Sequence, residues 1–335
     1  MHPANIIDVD KIAVLGTGRI GGFLAKAIAE GGYHVETSNR TEMNAKVVAA
    51  ADVVIIAVPW MKIADAVQGS VFSGKVVIDA TNPFDATFNI VRPSAPFTSA
   101  LQENASHCVG GRLVKAFNTL PSDQLARFAA PAEAFRSALP ICGDDRDAKE
   151  IVTQIVNAVG YDAVDIGKSD DASAQEPNGV YYAQRYRRTE LENAEVARRF
   201  IVYGLARGDG TILDSLVADD VVVTSGISPL APMVGKAGFF AGLGALGAFS
   251  NVDLVLEEIL PSTDRVTVKY TAHGTHTGDQ LGVPPTQKRI EMKEIRLMRI
   301  RDGKIVEDFV ADINYDWPWL VAPRYRDAWL AKLSS

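Results

Sequence analysis

The stretch Gly16-Thr17-Gly18-Arg19-Ile20-Gly21 lies between an apolar run, Ile12–Leu15, and a segment with apolar residues at helical spacing, Ile20–Glu30. Glycines at this spacing, after a strand and before a helix, suit the diphosphate of a dinucleotide. Gly16 permits a tight turn, Gly18 lets backbone N–H groups approach the diphosphate, and Gly21 lets the helix pack on the sheet. The helix N-terminus adds partial positive charge. About 20 residues further on, a site for an unphosphorylated dinucleotide carries an acidic side chain for the ribose hydroxyls. Here the chain reads Thr37-Ser38-Asn39-Arg40-Thr41. Arg40 suits a 2′-phosphate, with hydroxyl and amide partners in Ser38, Asn39 and Thr41. Glu36 lies inside the predicted strand and is read as facing away from the ribose. NADP(H) is therefore expected over NAD(H).

A second group of titratable residues lies near the C-terminus. In the predicted strand Arg265–Thr277, alternation puts Val266, Val268, Tyr270, Ala272 and His276 on one face, and Arg265, Thr267, Lys269, Thr271 and His273 on the other. The apolar face should be concave, so His276 is expected inside and His273 outside. The two histidines point apart and cannot share one metal ion. His276 is read either as a structural histidine or as an acid/base in a cavity. In the last strand Glu307 shares a face with Ile305, Phe309, Ala311 and Ile313, which turns it toward the cavity. A bulge would bring in Asp308 or Asp312 instead; otherwise those carboxylates simply solvate an exposed face.

These residues need elements to hold them. Apolar runs at Ile12–Leu15, Val35–Thr37, Val53–Val58, Val76–Asp79, Leu113–Phe117, Leu139–Cys142 and Ala163–Ile166 alternate with helical patterns at Ile20–Glu30, Met61–Val67 and Asp147–Val159. Continuous apolar strands between helices predict a doubly wound α/β domain with a parallel sheet covered on both faces. The polar stretch Ser169–Gly179 reads as a linker or a domain-closing loop, and Tyr181–Arg187 as packing between domains. Beyond it helices come first: Leu191–Arg207, Thr211–Val217 and Gly235–Phe249, the last with Phe239, Phe240, Leu243 and Leu246 at its apolar positions. Strands Val252–Leu260, Arg265–Thr277, Arg289–Arg301 and Lys304–Asn314 follow, joined by turns at Pro261–Asp264 and Asp302-Gly303. Three helices on an antiparallel sheet predict an α+β cone. The domains expected are residues 1–185 and 190–335.

Composition sets limits on what these two modules can be. With 335 residues, 47% apolar and 22% charged, the chain has the balance of a soluble globular protein of two domains. A net charge of −7 offers no basic stripe for nucleic acid. Val53–Val58 and the other apolar runs are far below the roughly 20 residues of a bilayer span. Met1–Asp10 has no secretory pattern, so a cytoplasmic protein is expected. Cys108 and Cys142 lack metal-ligand spacing, so no metal site is expected.

Five segments, Lys11–Gly21, the Ser-Asn-Arg40 loop, Ala57-Val-Pro-Trp60, Asp79-Ala-Thr-Asn-Pro83 and Val114–Leu120, together resemble the NADPH-dependent F420 reductase family over roughly residues 11–185. The resemblance implies that Val58, Pro59, Asn82 and Pro83 line a nicotinamide pocket with Asn118 close by. It further implies hydride transfer to a deazaflavin, F420, bound over the nicotinamide. Gly274–Gly278, Leu281–Thr286 and Leu297–Ile305 resemble the SnoaL-like polyketide cyclases, a branch of the NTF2-like cone fold, over roughly residues 190–320. In the aldol-type members of that family a histidine directly before the Leu-Met-Arg-Ile run and an aspartate in the last strand do the acid/base chemistry. Those positions are Arg296 and Val310 here, with Asp308 and Asp312 flanking the second.

The expected function is a bifunctional tailoring enzyme for an aromatic or polyketide-like small molecule. Its first module reduces a conjugated carbonyl, quinone or imine; its second cyclises, rearranges or hydroxylates the product. No Ser/Tyr/Lys proton relay is recognisable, which hydride transfer to a conjugated acceptor tolerates. His276, Asp308, Asp312 and Arg296 are the expected catalytic residues. Two other readings remain: a reductase whose cone only dimerises or binds substrate, and an NADP(H)-sensing regulator. A homodimer paired through the cone is expected, without nucleic-acid or membrane partners.

Overall fold

The computed structural model describes residues 9–129, 136–225, 232–279 and 284–312. The expectations for residues 1–8, 281–283, 313 and 314, and for the side chains of Leu246 and Asp312, fall outside that description. The chain divides into two units, Met1–Leu191 and Glu192–Ser335.

The first unit runs β1 (Lys11–Leu15), α1 (Arg19–Glu30), β2 (His34–Ser38), α2 (Thr41–Ala50), β3 (Val53–Ile56), α3 (Ile63–Val67) and β4 (Val76–Asp79). It continues through α4 (Ala100–His107), β5 (Arg112–Lys115), α5 (Ser122–Arg127), β6 (Ala138–Gly143), α6 (Arg146–Val159) and β7 (Asp162–Asp165). The sheet order is β2-β1-β3-β4-β5-β6-β7. Strands β1 to β5 are parallel, as a doubly wound sheet requires. β6 runs against β5, and β7 follows β6. A strand buried on both faces reads the same in either direction, so its apolar run carries no signal of polarity. Val53–Ile56 and Val76–Asp79 are buried throughout, and α1 and α6 cover the sheet with Leu24, Ile28, Ile151, Val152, Ile155 and Val156.

Helices α2, α4 and α5 had no clear apolar period. α2 buries little beyond Asn44, Val47 and Val48, and α4 only Ala100, Leu101 and Asn104. Ser169–Gly179 is a folded part of the unit rather than a linker. It opens with a 3₁₀ turn, Ser169–Ala174, and buries Asp171, Ala172, Gln175 and Glu176. Tyr181 and Tyr186 are buried edge to face, 6.0 Å between centroids. Cys108 and Cys142 are buried free thiols. Burial and the Asp79 charge push Cys108 up to about 12, so neither sulfur is poised as a thiolate.

The second unit contains α7 (Arg188–Arg199, its first residues counted with unit one), a π-helical continuation Phe200–Ala206, α8 (Gly210–Leu216), β8 (Val217–Ser225), β9 (Met233–Val234) and α9 (Gly235–Gly244). Four strands follow: β10 (Phe249–Ser262), β11 (Arg265–His276), β12 (Arg289–Arg301) and β13 (Lys304–Asp312). The six-stranded sheet has the order β10-β11-β12-β13-β8-β9. β8 pairs parallel to β13 and was absent from the sequence reading, because Val217–Ser225 follows α8 with no turn residue between them. The helices and the curved sheet make the NTF2-like cone. Along β11 burial alternates, with Val266, Val268, Tyr270, Ala272 and His276 inside.

Candidate functional site

In the first unit, backbone geometry dictates the glycine turn. Gly16 has φ +100°, and a Cβ there would lie 2.5 Å from the carbonyl oxygen of Ala57. A Cβ on Gly21 would lie 2.0 Å from the Gly16 carbonyl oxygen. Both obstacles are backbone atoms that cannot swing away, so any side chain is excluded. Gly18 is different: apart from its chain neighbours, no atom of the described residues lies within 4 Å of its Cβ position. Gly18 is also the N-cap of α1, with no side-chain cap and no acidic residue in the first turn. The first amides of α1 therefore keep their donors and their partial charge for a partner from outside. Thr17 and Arg19 are exposed and Ile20 half-buried.

The end of β2 is tied to this turn. Gly16 N–H donates to the Ser38 carbonyl at 2.7 Å, and Asn39 Nδ2 donates to Thr17 Oγ1 at 3.4 Å. Ser38 is buried, its hydroxyl between the N–H and C=O of Arg40. Arg40 precedes α2 and is exposed; Glu36 stops two residues short of the end of the strand. The two residues between β2 and α2 thus offer an amide and a guanidinium, and no carboxylate.

The residues assigned to the nicotinamide side leave the carboxyl ends of three adjacent strands. Val58 and Pro59 follow β3, Asn82 and Pro83 follow β4, and Asn118 follows β5. Asn82 Nδ2 donates to the Asn118 carbonyl at 2.7 Å, and Asn118 Nδ2 donates to Asn82 Oδ1 at 2.9 Å and to the Gln175 carbonyl at 2.8 Å. Asn118 Oδ1 and both amide atoms of Gln175 are buried without a hydrogen-bond partner among the described residues. Below this cluster Lys115 is fully buried between Asp79 at 2.9 Å and Glu176 at 3.3 Å. Asp79 also accepts from Thr81 and Asn104, and Glu176 accepts from the first amides of α4. Burial alone would push the Asp79 carboxyl up, but the Lys115 cation and the hydrogen bonds hold it below its ordinary value. Burial opposes the Lys115 charge too, and the two carboxylates outweigh it, keeping its pKa raised. Asp79 and Lys115 each end an apolar strand, and a charge in a buried strand demands a partner. That signal was available in the sequence; Gln175 and Glu176, in a stretch read as polar loop, gave none.

These features fit NADP(H). Gly16, Gly18 and Gly21, with Thr17, Arg19 and Ile20 at the head of α1, would hold the diphosphate. Asn39 and Arg40 would hold the 2′-phosphate; Ser38, expected to join them, instead braces the Arg40 backbone with its buried hydroxyl.

In the second unit the sequence-derived candidates fall into two groups. Arg296 on β12 and Asp308 on β13 are buried, with Arg296 Nη2 3.1 Å from Asp308 Oδ2. Tyr270, one strand away, donates to Glu294, and Phe200 lies 5.2 Å under the Arg296 guanidinium. Burial pushes the Asp308 carboxyl up despite Arg296. Glu307 faces outward and pairs with Arg299, contrary to the alternation reading. The cause is a bulge: Arg299 pairs with Glu307 but Ile300 with Ile305, so Val306 is extra and the parity switches beyond it. Asp312 pairs with Glu294 in register.

His276 belongs elsewhere. It is fully buried beside Phe249, 5.4 Å between ring centroids, and its backbone N–H donates to the Lys288 carbonyl. Its Nδ1 accepts from the Thr286 N–H at 3.2 Å, so the neutral ring carries its proton on Nε2, a buried donor with no partner among the described residues. Arg296 pairs in register with Val268, eight residues back along β11, or about 26 Å of extended strand. The strand register does not bring His276 beside Arg296 and Asp308. Tyr270 and Glu294 were missed as candidates; Tyr270 was placed on the inward face but given no role. His273 is half-exposed and pairs with Glu291 at 3.2 Å.

The two units define a Rossmann-like dinucleotide fold followed by an NTF2-like cone. Residues 38–83 match the family model of NADP oxidoreductase coenzyme F420-dependent, and residues 195–311 match that of SnoaL-like polyketide cyclase. The first match covers the end of β2 through Pro83, and leaves the glycine turn and Asn118 outside it. A hypothetical protein from Sinorhizobium meliloti is 27% identical, covering 53% of this chain and 96% of its own, with a TM-score of 0.46. A candidate F420-dependent NADP reductase from Arthrobacter sp. FB24 is 24% identical over 49% of this chain and 87% of its own, TM-score 0.42. A candidate SnoaL-like polyketide cyclase from Jannaschia sp. CCS1 is 21% identical over 39% and 91%, TM-score 0.36. The chain thus joins an F420-dependent NADP oxidoreductase-like unit to a SnoaL-like unit. Among the described residues no helix is long and apolar enough to cross a membrane, and no cluster of three or more His, Cys, Asp or Glu could hold a metal ion.

Proposed function

We propose that the chain is an NADPH-dependent reductase of a conjugated carbonyl, quinone or imine in an aromatic or polyketide-like small molecule, with the cone receiving the reduced product. The observation that carries this reading is the open space over Gly18 at an uncapped helix start, beside a strand end that presents Arg40. When bound, NADPH supplies a hydride equivalent to the acceptor. The chain's own contribution is to seat the diphosphate on the first turn of α1 and the 2′-phosphate on Arg40. Asn82 and Asn118, locked to each other, keep the carboxyl ends of β4 and β5 in fixed register beside the nicotinamide. A cone on the same chain meets the product at an effective concentration of about millimolar, and a homodimer paired through the cone sheets suits this arrangement.

Isothermal titration tests the reading. NADPH should bind at least tenfold tighter than NADH, and Arg40→Ala should remove most of that difference, since a hydrogen bond to a charged group contributes about 1.5–3 kcal/mol. Equal affinities for the two dinucleotides would overturn it.

A second reading gives the cone no chemistry of its own. It is favoured by Arg296 standing where the aldol-type cyclases carry histidine, and by the distance along β11 that separates His276 from the carboxyl of Asp308. Replacing His276 or Asp308 should abolish a second product if the cone reacts, and leave the product profile unchanged if it only binds.

A further inference from the structure

The hairpin that follows Asn82-Pro83 is built tightly around one side chain. Val91 N–H donates to the Pro83 carbonyl at 2.8 Å, Asp85 N–H to the Asn89 carbonyl at 2.9 Å, and Phe84 bridges Ile90. Asp85 Oδ1 accepts from the N–H and hydroxyl of Thr87 and from the Asn89 N–H, and Oδ2 from the Asn89 side chain. The Asn89 and Thr87 bonds hold the Asp85 carboxyl down to about 2, so the loop keeps them in neutral and mildly acidic solution. At the tip this frame forces Phe88 into left-handed backbone, φ 63°, with 83% of its surface exposed. Both features are unfavourable for a phenylalanine: the backbone is strained, and the residue buries little of its surface in the folded chain. Folding makes little use of this ring.

Its position suggests one. β3 and β4 are neighbours in the sheet, so Val58–Met61 and Asn82–Ile90 leave the same edge side by side. In a doubly wound sheet, ligands lie in the crevice outside the carboxyl ends of the strands. The segment after β3 exposes Met61, 58%, and the hairpin after β4 exposes Phe88 and Ile90, 45%. Phe84 contacts Phe88 across the hairpin, ring centroids 6.3 Å apart. The hairpin that begins at Asn82-Pro83 thus presents two aromatic rings and Ile90, none of them charged, at the carboxyl edge of the sheet.

We propose that Phe88, supported by Phe84 and Ile90, is a wall of the acceptor site, stacking on an uncharged planar fused-ring hydride acceptor. The proposal rests on the reductase reading and adds the residue that selects a flat acceptor. Because the position demands φ above zero, Phe88→Gly removes the ring without disturbing the hairpin, and Phe88→Tyr retains the stacking face.

The experiment titrates lumiflavin, a fluorescent tricyclic probe, into full-length protein saturated with NADP+, so that no turnover occurs. The expected result is saturable binding to the parent, about three- to tenfold weaker binding to Phe88→Gly, binding to Phe88→Tyr within about twofold of the parent, and unchanged NADP+ affinity in all three. Lumiflavin that binds equally to Phe88→Gly, or does not bind the NADP+ complex at all, overturns the proposal. So does a change in sedimentation coefficient confined to Phe88→Gly, which would make the patch a contact between copies of the chain. Failure of NADP+ itself to bind is a separate outcome: it removes the reductase reading, and the acceptor wall with it.

Discussion

Replacing Lys115 by methionine tests the charged network beneath the Asn82–Asn118 pair. Met fills a similar volume but leaves Asp79 and Glu176 buried without their cation, at sites now 2.9 and 3.3 Å from the ammonium. Removing one partner of a buried ion pair costs about 3–5 kcal/mol. The first unit has roughly 190 residues, and about 2.1 cal/mol/K of unfolding entropy per residue gives about 0.4 kcal/mol/K. Its calorimetric midpoint should therefore fall by about 8–12 °C at pH 7. The pH dependence follows from the directions of the shifts. Asp79 is held below its ordinary 3.8, so its contribution is present above that value and lost as the pH falls through its lower folded value. Lys115 is held above 10.5, so its contribution is present below that value and lost as the pH rises through its higher folded value. Without the cation, only the Thr81 and Asn104 hydrogen bonds oppose burial at Asp79, so its pKa rises relative to the parent and protons relieve the variant before they harm the parent. The gap in midpoint should narrow between pH 7 and pH 5. A gap under 2 °C at pH 7, or one constant over that range, would refute the reasoning.

Two further substitutions probe the glycine turn and the cone. Gly18→Ala should leave the midpoint of the first unit within about 2 °C, because its Cβ meets open space, yet weaken NADPH binding measured by titration. Gly21→Ala should lower the midpoint strongly, because the Gly16 carbonyl oxygen blocks it. Arg296→Met should leave Asp308 buried and unpaired, lowering the second unit's transition by about 3–5 kcal/mol in urea at neutral pH. That loss should shrink as the pH falls, since Asp308 is already raised and a protonated carboxyl needs no cation.

Much of the fold was legible because apolar period and glycine spacing act locally. Lys11–Leu15, the glycine turn and α1 stand where alternating chemistry placed them, and the inward face of β11 follows from parity alone. Helices α2 and α4 escaped because they bury few apolar side chains, and β8 because nothing breaks the chain between it and α8. The candidate site was legible in part. The glycine turn and the Ser38–Arg40 loop are short-range features, whereas Gln175 and Glu176 enter the first unit's site from some 60 residues beyond Lys115, through a segment whose polarity imitates a loop.

Amino-acid order by itself determined the two modules, the glycine turn and the charge offered at the end of β2, because each is a matter of residue type at fixed local spacing. Tertiary structure decided which carboxylate of β13 turns inward, since one extra residue at Val306 reverses every side chain beyond it. It also decided that His276 and Arg296 occupy different stretches of β11 and its neighbour, because strand register, and not sequence motif, sets which side chains meet. It fixed the partners of Lys115 as well: a buried charge states its need for company in the sequence, but only the packed chain brings that company within hydrogen-bonding distance.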